Sequence, residues 1–393
     1  MPEDPHRFTP DEVERLRSCR ILVMSGMDFV QCSVPSSPQV PKRIQQFVSS
    51  LTEEELCYIV LGGYRGQGSR SIVGAAGQRV AGAAGETVGL YEDRGLPVIV
   101  MADGPAGLRL NQDYVREGKG TRGVGNVMPN GFGDFVEEDA SVQEEVKRRV
   151  ANPEQEVFHQ YCSAIPIGMA LAQSWNLSLC KACGDLVGDE MERFGVHLWL
   201  APALNIHRSP LCGRNFEYYS EDPLLSGRIA AAITQGVQKH PGRGTTIKHF
   251  CCNNQETDRM LSNSVVSERA LREIYLKGFQ IAVEESQPKA VMTSYNLLNG
   301  EHTSQRRDLI MECLRGEWGF QGVVMTDWAI ARLGRTVPAK YARAVAAGSI
   351  QTGNDLHMPG GQQDYENLLG ALRGEGGYPL KRHQVEECAQ RVV

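Results

Sequence analysis

Five short apolar runs, each broken by polar residues at its C-terminal end, constrain this chain more than any other feature. They are Leu96-Pro-Val-Ile-Val-Met101, followed by Ala102-Asp103-Gly-Pro-Ala-Gly-Leu-Arg109; Val196-His-Leu-Trp-Leu-Ala201, followed by Pro202-Ala-Leu-Asn205; Thr245-Thr-Ile247, closed by Lys248-His249-Phe250; Ala290-Val-Met292, closed by Thr-Ser-Tyr295-Asn296; and Gly322-Val-Val-Met325, closed by Thr326-Asp327-Trp328. Runs that are apolar throughout suit parallel strands covered on both faces. Helical patterns lie between them, at 179–194, 223–238, from Ser267 with Leu271, Ile274, Tyr275, Gly278 and Ala282 in helical register, at 306–316 and near 338–347, with two amphipathic helices at the end. Such alternation dictates a parallel α/β sheet, and its even spacing favours a closed TIM-type (β/α)8 barrel with local irregularities.

The barrel domain is expected over residues 51–393, because Thr52 with Glu55 forms a capping box that starts a helix. Residues 1–50 read as an N-terminal extension or linker remnant, with a candidate strand at Arg20-Ile-Leu-Val-Met24 and the linker-like Val34-Pro-Ser-Ser-Pro-Gln-Val-Pro41. The glycine-rich stretch 62–89 reads as a close-packed loop. Its Gly66-Gln-Gly-Ser69 follows no convincing strand, so phosphate binding is not indicated. Residues 110–161 read as a long insertion at the barrel mouth.

Composition narrows the function. A net charge of −6 with interspersed signs points to neither nucleic acid nor an anionic membrane. No apolar run approaches the roughly 18 residues of a membrane span, and no basic-then-apolar leader begins the chain. Eleven scattered cysteines suggest reduced thiols, hence a cytoplasmic setting. Cys180-x-x-Cys183 has no second pair, so no metal is expected, and nothing calls for a cofactor.

The strand ends and their loops offer Asp103, Arg109, Arg214, Glu217, Lys248, His249, Tyr295, Asn296, Asp327, Trp328 and Asp355. If these converge, carboxylates, fixed cations, hydroxyl and amide groups meet an aromatic face. That inventory suits a carbohydrate, whose vicinal hydroxyls need paired donors and acceptors and whose C–H faces stack on tryptophan. Singly, each residue is as well explained by structure, Asp327 for instance by capping the following helix.

Ala102-Asp-Gly-Pro-Ala-Gly-Leu-Arg109, Gly213-Arg-Asn-Phe-Glu-Tyr-Tyr-Ser-Glu-Asp-Pro223, Lys248-His-Phe250 with Asn253 and Gln255-Glu256, Met292-Thr-Ser-Tyr-Asn296 with Asn299-Gly300, and Met325-Thr-Asp-Trp328 resemble, in sequence and order, the barrel domain of glycoside hydrolase family 3. The resemblance covers about residues 50–393. It implies a retaining β-glucosidase-type enzyme acting on β-glucosides or oligosaccharides. Asp327 matches the nucleophile, Asp103, Arg214, Lys248, His249 and Tyr295 match residues that hold the terminal sugar, and Trp328 its wall; Arg109 joins this substrate-binding set from the Asp103 turn. Lys248, His249 and Arg214 are expected to favour ionised Asp327.

The family's acid/base glutamate sits in a second, αβα-sandwich domain that is not recognisable here. The chain therefore reads as a fragment or shortened member resembling the domain-permuted form, with residues 1–50 a remnant or a replacement. Glu217 and Glu256 are the candidate acid/base residues within it, and Glu221 a weaker one. The alternative is a sugar-binding or catalytically impaired barrel. Lys248-His-Phe-Cys-Cys-Asn-Asn replaces the histidine loop of the acetylglucosaminidase branch, which argues against that chemistry. A face shaped for a second domain implies self-association or a separate sandwich domain as partner.

Overall fold

The computed structural model describes residues 40–64, 66, 76–125, 154–330 and 340–393, with the backbone of 23–25 and 28–30. The apolar runs become neighbours in one six-stranded sheet, in the order Val323–Met325, Ala290–Thr293, Gly244–Phe250, Leu198–Trp199, Val100–Ala102, Gly85–Glu86. The first five are mutually parallel, and Gly85–Glu86 runs antiparallel to Val100–Ala102. Single parallel bridges continue the ladder from Met325 to Leu356 and from His357 to Leu61. The sheet thus curls into a half-barrel.

Every residue of Gly244–Phe250 and Ala290–Thr293 is buried, as apolar runs without alternation require. Outside the curl, helices Leu177–Phe194, Pro223–Val237 and Lys277–Ser286 place Val187, Met191, Ile229, Ile233, Phe279 and Val283 against Ile247, Phe250 and Val291. Each such buried aliphatic or aromatic side chain contributes about 1.5–3 kcal/mol. Glycines set the helix spacing: a Cβ at Gly184 would stand 2.1 Å from the Ile233 carbonyl oxygen, and one at Gly236 2.1 Å from that of Lys181. Inside the curl lie Met101, Leu200, Met292, Met325, Leu356 and Met358. A second core joins Leu56, Ile59, Ile350, Leu368 and Val385.

The capping box at Thr52 and Glu55 forms and starts helix Glu53–Ile59. Asp222 and Asn176 cap the next long helices by accepting from Leu224 N and Leu179 N. Ser267 likewise caps its helix, the 306–316 segment is a π-helix over Asp308–Glu317, and helices Gln362–Leu372 and Arg382–Val392 finish the chain.

Several expectations need correction. The helix expected near 338–347 is Ala346–Gln351, with 331–339 outside the described residues. The glycine-rich stretch holds helix Ala76–Arg79 and strand Gly85–Glu86, not a loop alone. The insertion forms a three-stranded antiparallel sheet, Gly120–Val124, Asp113–Glu117 and Phe158–His159, fastened by Thr121 Oγ1 donating to Gly77 O at 2.9 Å. Its middle, 126–153, lies outside the described residues, as do 34–39 of the linker-like stretch and most of the Gly66-Gln-Gly-Ser motif. The candidate strand near Arg20 is Val23–Ser25, paired antiparallel with Asp28–Val30.

Candidate active site

Parallel strands deliver their C-terminal ends to one edge of the sheet, where α/β proteins assemble their sites. Asp103 directly follows Val100–Ala102, Lys248 and His249 close Gly244–Phe250, and Tyr295 and Asp327 each stand two residues past a strand. Arg214 comes from the loop between Leu198–Trp199 and helix Pro223–Val237.

These side chains meet. Lys248 Nζ donates to Asp103 Oδ1 at 2.8 Å, and Arg109 Nη2 donates to Asp103 Oδ2 at 2.5 Å. Burial alone would raise the Asp103 pKa, but Lys248, Arg109 and the Gly104 N–H hold it well below the ordinary carboxylate value. Asp327 Oδ1 accepts the Trp328 N–H at 2.7 Å, and Oδ2 faces His249 Nε2 at 3.7 Å. Tyr295 Oη donates to Trp328 O at 2.7 Å, while Trp328 Nε1 donates to Ala84 O at 2.9 Å. The first holds the Trp328 backbone and the second its indole ring. Arg214 is ion-paired with buried Glu217 and lies over the Tyr218 ring.

Arg214 and Lys248 favour ionised Asp327 as expected, but the net balance and the part given to His249 are corrected. Burial raises the Asp327 pKa above 3.8, and Arg259, Arg214 and Lys248 only partly oppose this. His249 adds no charge, because burial and the same three cations push its pKa well below the ordinary histidine value.

Three residues in this network were not singled out in the sequence. Arg259 stacks over Tyr295 at 4.8 Å and donates to Glu256 Oε2 at 3.0 Å. Tyr218 Oη lies 3.4 Å from His249 Nδ1, and Asn205 grips the His249 backbone on both sides, at 2.8 and 2.9 Å. The polar run Asn253-Asn-Gln255-Glu256 was a signal for the segment, but nothing marked Arg259. Asn253 joins Tyr218 and Glu256 through Nδ2, at 3.0 and 3.2 Å. Glu217 and Glu256, the candidate acids, are each committed to an arginine, and Glu221 is exposed.

Asp355 is not part of the cluster. Fully buried beside Val324, it accepts that residue's N–H at 2.8 Å and pairs with Arg315 at 2.5 Å and Arg391 at 2.6 Å. It ties the last helix to the sheet, whereas its place before Met358 had suggested a strand end. Asn296 is buried and donates to backbone carbonyls, a structural role. Among the described residues, no cluster of three or more His, Cys, Asp or Glu is arranged to hold a metal ion, and all nine cysteines are free.

A sequence model of the glycosyl hydrolase family 3 N-terminal domain matches residues 153–393. Beta-glucosidase A of Butyrivibrio fibrisolvens is 51% identical over 225 residues, 57% of this chain and 25% of that protein. A beta-glucosidase of Ruminococcus albus is 36% identical over 352 residues, 89% of this chain and 31% of that protein. Among solved structures, beta-glucosidase 3B from Thermotoga neapolitana in complex with α-D-glucose superposes with a TM-score of 0.68 at 39% identity, over 89% of this chain and 42% of that one. The chain thus spans a quarter to two-fifths of the length of these relatives.

Proposed function

Because the chain belongs to glycoside hydrolase family 3, we propose that it acts as a retaining, exo-acting β-glycosidase of the β-glucosidase type. It would remove terminal non-reducing β-D-glucosyl residues through a covalent glycosyl–Asp327 intermediate. The observation that carries this is Asp327 at the sheet's C-terminal edge, one oxygen fixed by the Trp328 N–H and the other turned to His249, beside the Asp103–Lys248–Arg109 group. That group brings charged donors and acceptors together, as recognition of sugar hydroxyls requires. Trp328 supplies a face for the ring, and the beta-glucosidases named above support the substrate class.

A retaining enzyme needs a second carboxyl about 5–5.5 Å from the nucleophile to protonate the leaving oxygen. Glu217 and Glu256 are each committed to an ion pair, with Arg214 and Arg259 respectively, and neither is turned toward Asp327 as a partner. We therefore assign the proton donor to a group outside this cluster. The same pairing gives weight to the second reading, a sugar-holding half-site without its own acid. Leaving-group dependence separates the two: aryl β-glucosides with good leaving groups need little acid help, while cellobiose needs it. Comparable kcat/KM on both substrates would exclude the half-site reading. Loss of aryl glucoside hydrolysis in Asp327→Asn supports the nucleophile, and retention of it refutes that role.

We further infer a complete, irregular (β/α)8 barrel over residues 51–393. Six strands, the Leu356–His357 segment and the Leu61 segment make eight ladder positions, and a Cβ at Gly62 would stand 3.3 Å from Glu86 O, at the seam. A cytoplasmic setting, and self-association or a separate sandwich domain as partner, belong to the same proposal. Exposed Met169, Trp175 and Phe216 support the partner, and gel filtration showing only monomer would count against self-association.

A further inference from the structure

We propose that Asn253 and Tyr218 hold His249 as its neutral Nε2–H tautomer, so that the ring offers a sugar hydroxyl bound beside Asp327 a hydrogen-bond donor and never a base. Only the kinetic part of this rests on the glycosidase reading above.

The chain of reasoning starts at Glu256. Its Oε2 accepts from Arg259 Nη1 at 3.0 Å, and its Oε1 faces Asn253 as a second acceptor. Its Oε1 lies 3.2 Å from the Asn253 amide, so the amide atom facing it is the Nδ2 donor, which settles the orientation that coordinates alone leave ambiguous. The same Nδ2 lies 3.0 Å from Tyr218 Oη, so the phenol oxygen accepts there. Tyr218 is fully buried, and its own O–H needs an acceptor. The remaining partner is His249 Nδ1 at 3.4 Å. A ring nitrogen that accepts carries the lone pair, which places the proton of a neutral imidazole on Nε2.

The surroundings agree. Arg214, Lys248 and Arg259 all oppose a second proton on the buried ring. Asn205 fixes the His249 backbone through both its N–H and its C=O, so the ring has little freedom to turn away. Nε2 stands 3.7 Å from Asp327 Oδ2, too far for a direct hydrogen bond, and a sugar hydroxyl lying between them would accept from Nε2. Tyr218, Asn253 and Glu256 are then positioning residues, which gives Glu256 a task other than acid catalysis.

The test is imidazole nitrogen NMR on protein labelled with ¹⁵N histidine, the His249 ring assigned by its loss in His249→Gln. At pH 7 the wild type is expected to show a neutral ring protonated at Nε2. In Asn253→Asp the new carboxylate accepts the hydrogen bond of the Tyr218 O–H, the phenol oxygen is left to accept from the ring, and His249 switches to the Nδ1–H form. Asn253→Ala removes the donor to Tyr218 without adding an acceptor, so the single tautomer is expected to loosen into a mixture without a switch, and a full switch to Nδ1–H confined to the aspartate variant separates the relay from general damage. Should Asn253→Asp not fold, Tyr218→Phe decides, with a mixture of tautomers expected where the wild type has one. Hydrolysis of an activated aryl β-glucoside should fall about 10-fold in kcat/KM in Tyr218→Phe, the scale of one positioned hydrogen bond. An Nδ1–H or doubly protonated ring in the wild type, a folded Asn253→Asp that stays Nε2–H, or an unchanged single tautomer in Tyr218→Phe overturns the proposal. The NMR readout stands whether or not the protein hydrolyses glucosides.

Discussion

Replacing Asp103 by asparagine removes one carboxylate and strands two cations. Lys248 loses its 2.8 Å partner with its side chain only 4% exposed, against 25% for Asp103. Breaking a buried pair by deleting one partner costs about 3–5 kcal/mol. The lower end applies, since one side of this pair is partly solvated. The Arg109 arm, with a guanidinium side chain 38% exposed, adds less than about 1 kcal/mol. Asp103→Asn is therefore expected to lose roughly 3–4 kcal/mol at pH 7, read as the shift in urea midpoint at unchanged slope. The pH dependence has a definite sign. A carboxylate whose pKa is depressed in the fold stabilises fully above its ordinary value of 3.8 and loses that contribution as pH falls toward its folded value. The gap between wild type and variant is thus largest at neutral pH and narrows below 3.8. A loss under 1 kcal/mol at pH 7, or a gap that widens on acidification, would refute the reasoning that Asp103 is the countercharge of a buried lysine.

Asp327 titrates in the opposite sense. Its raised pKa places the acid limb of kcat/KM for an activated glucoside above 3.8, and Arg259→Met moves that limb further up by removing the strongest of the opposing cations. An acid limb at or below 3.8 contradicts the dominance of burial. Asp355→Asn, with Arg315 and Arg391 left facing each other in a buried site, should cost about 3–5 kcal/mol in chemical denaturation. Its KM should stay that of the wild type, because the residue lies outside the site; a raised KM with unchanged stability would reverse that assignment. Gly85→Ala puts a Cβ 2.8 Å from both Trp328 Cζ2 and Met358 Cε, and the ring must move. A severalfold rise in KM for glucosides is expected, and an unchanged KM would mean that Trp328 does not border the sugar.

How much of this was legible in the sequence depends on where each residue sits on the chain. Asp103, Lys248, His249, Tyr295 and Asp327 were legible because each follows an unmistakable apolar run, and a parallel sheet sends all such positions to one edge. Arg214 was found through its motif, since a loop residue has no periodicity to betray it. Arg259 was missed for the same reason, lying on the irregular stretch between Phe250 and Ser267 with no motif to mark it. Gly85–Glu86 escaped because a two-residue strand leaves no pattern, and it runs against the direction that the alternation implies. Asp355 shows the converse error. It precedes its apolar residues instead of following them, and so belongs beside Val324 and away from the cluster. Charge states were the least legible, since the neutral His249 and raised Asp327 follow from burial, which emerges only when the strands come together.

The most direct measurement is mass spectrometry of the protein after incubation with a 2-deoxy-2-fluoro-β-glucoside bearing a dinitrophenolate leaving group. Such a reagent needs a nucleophile but almost no acid help, so it reads Asp327 alone. A covalent fluoroglucosyl group on the peptide that carries Asp327, absent in Asp327→Asn, is the expected result. Folded protein with no adduct, or an adduct on another carboxylate, would contradict the assignment of Asp327 as the nucleophile of a retaining glycosidase.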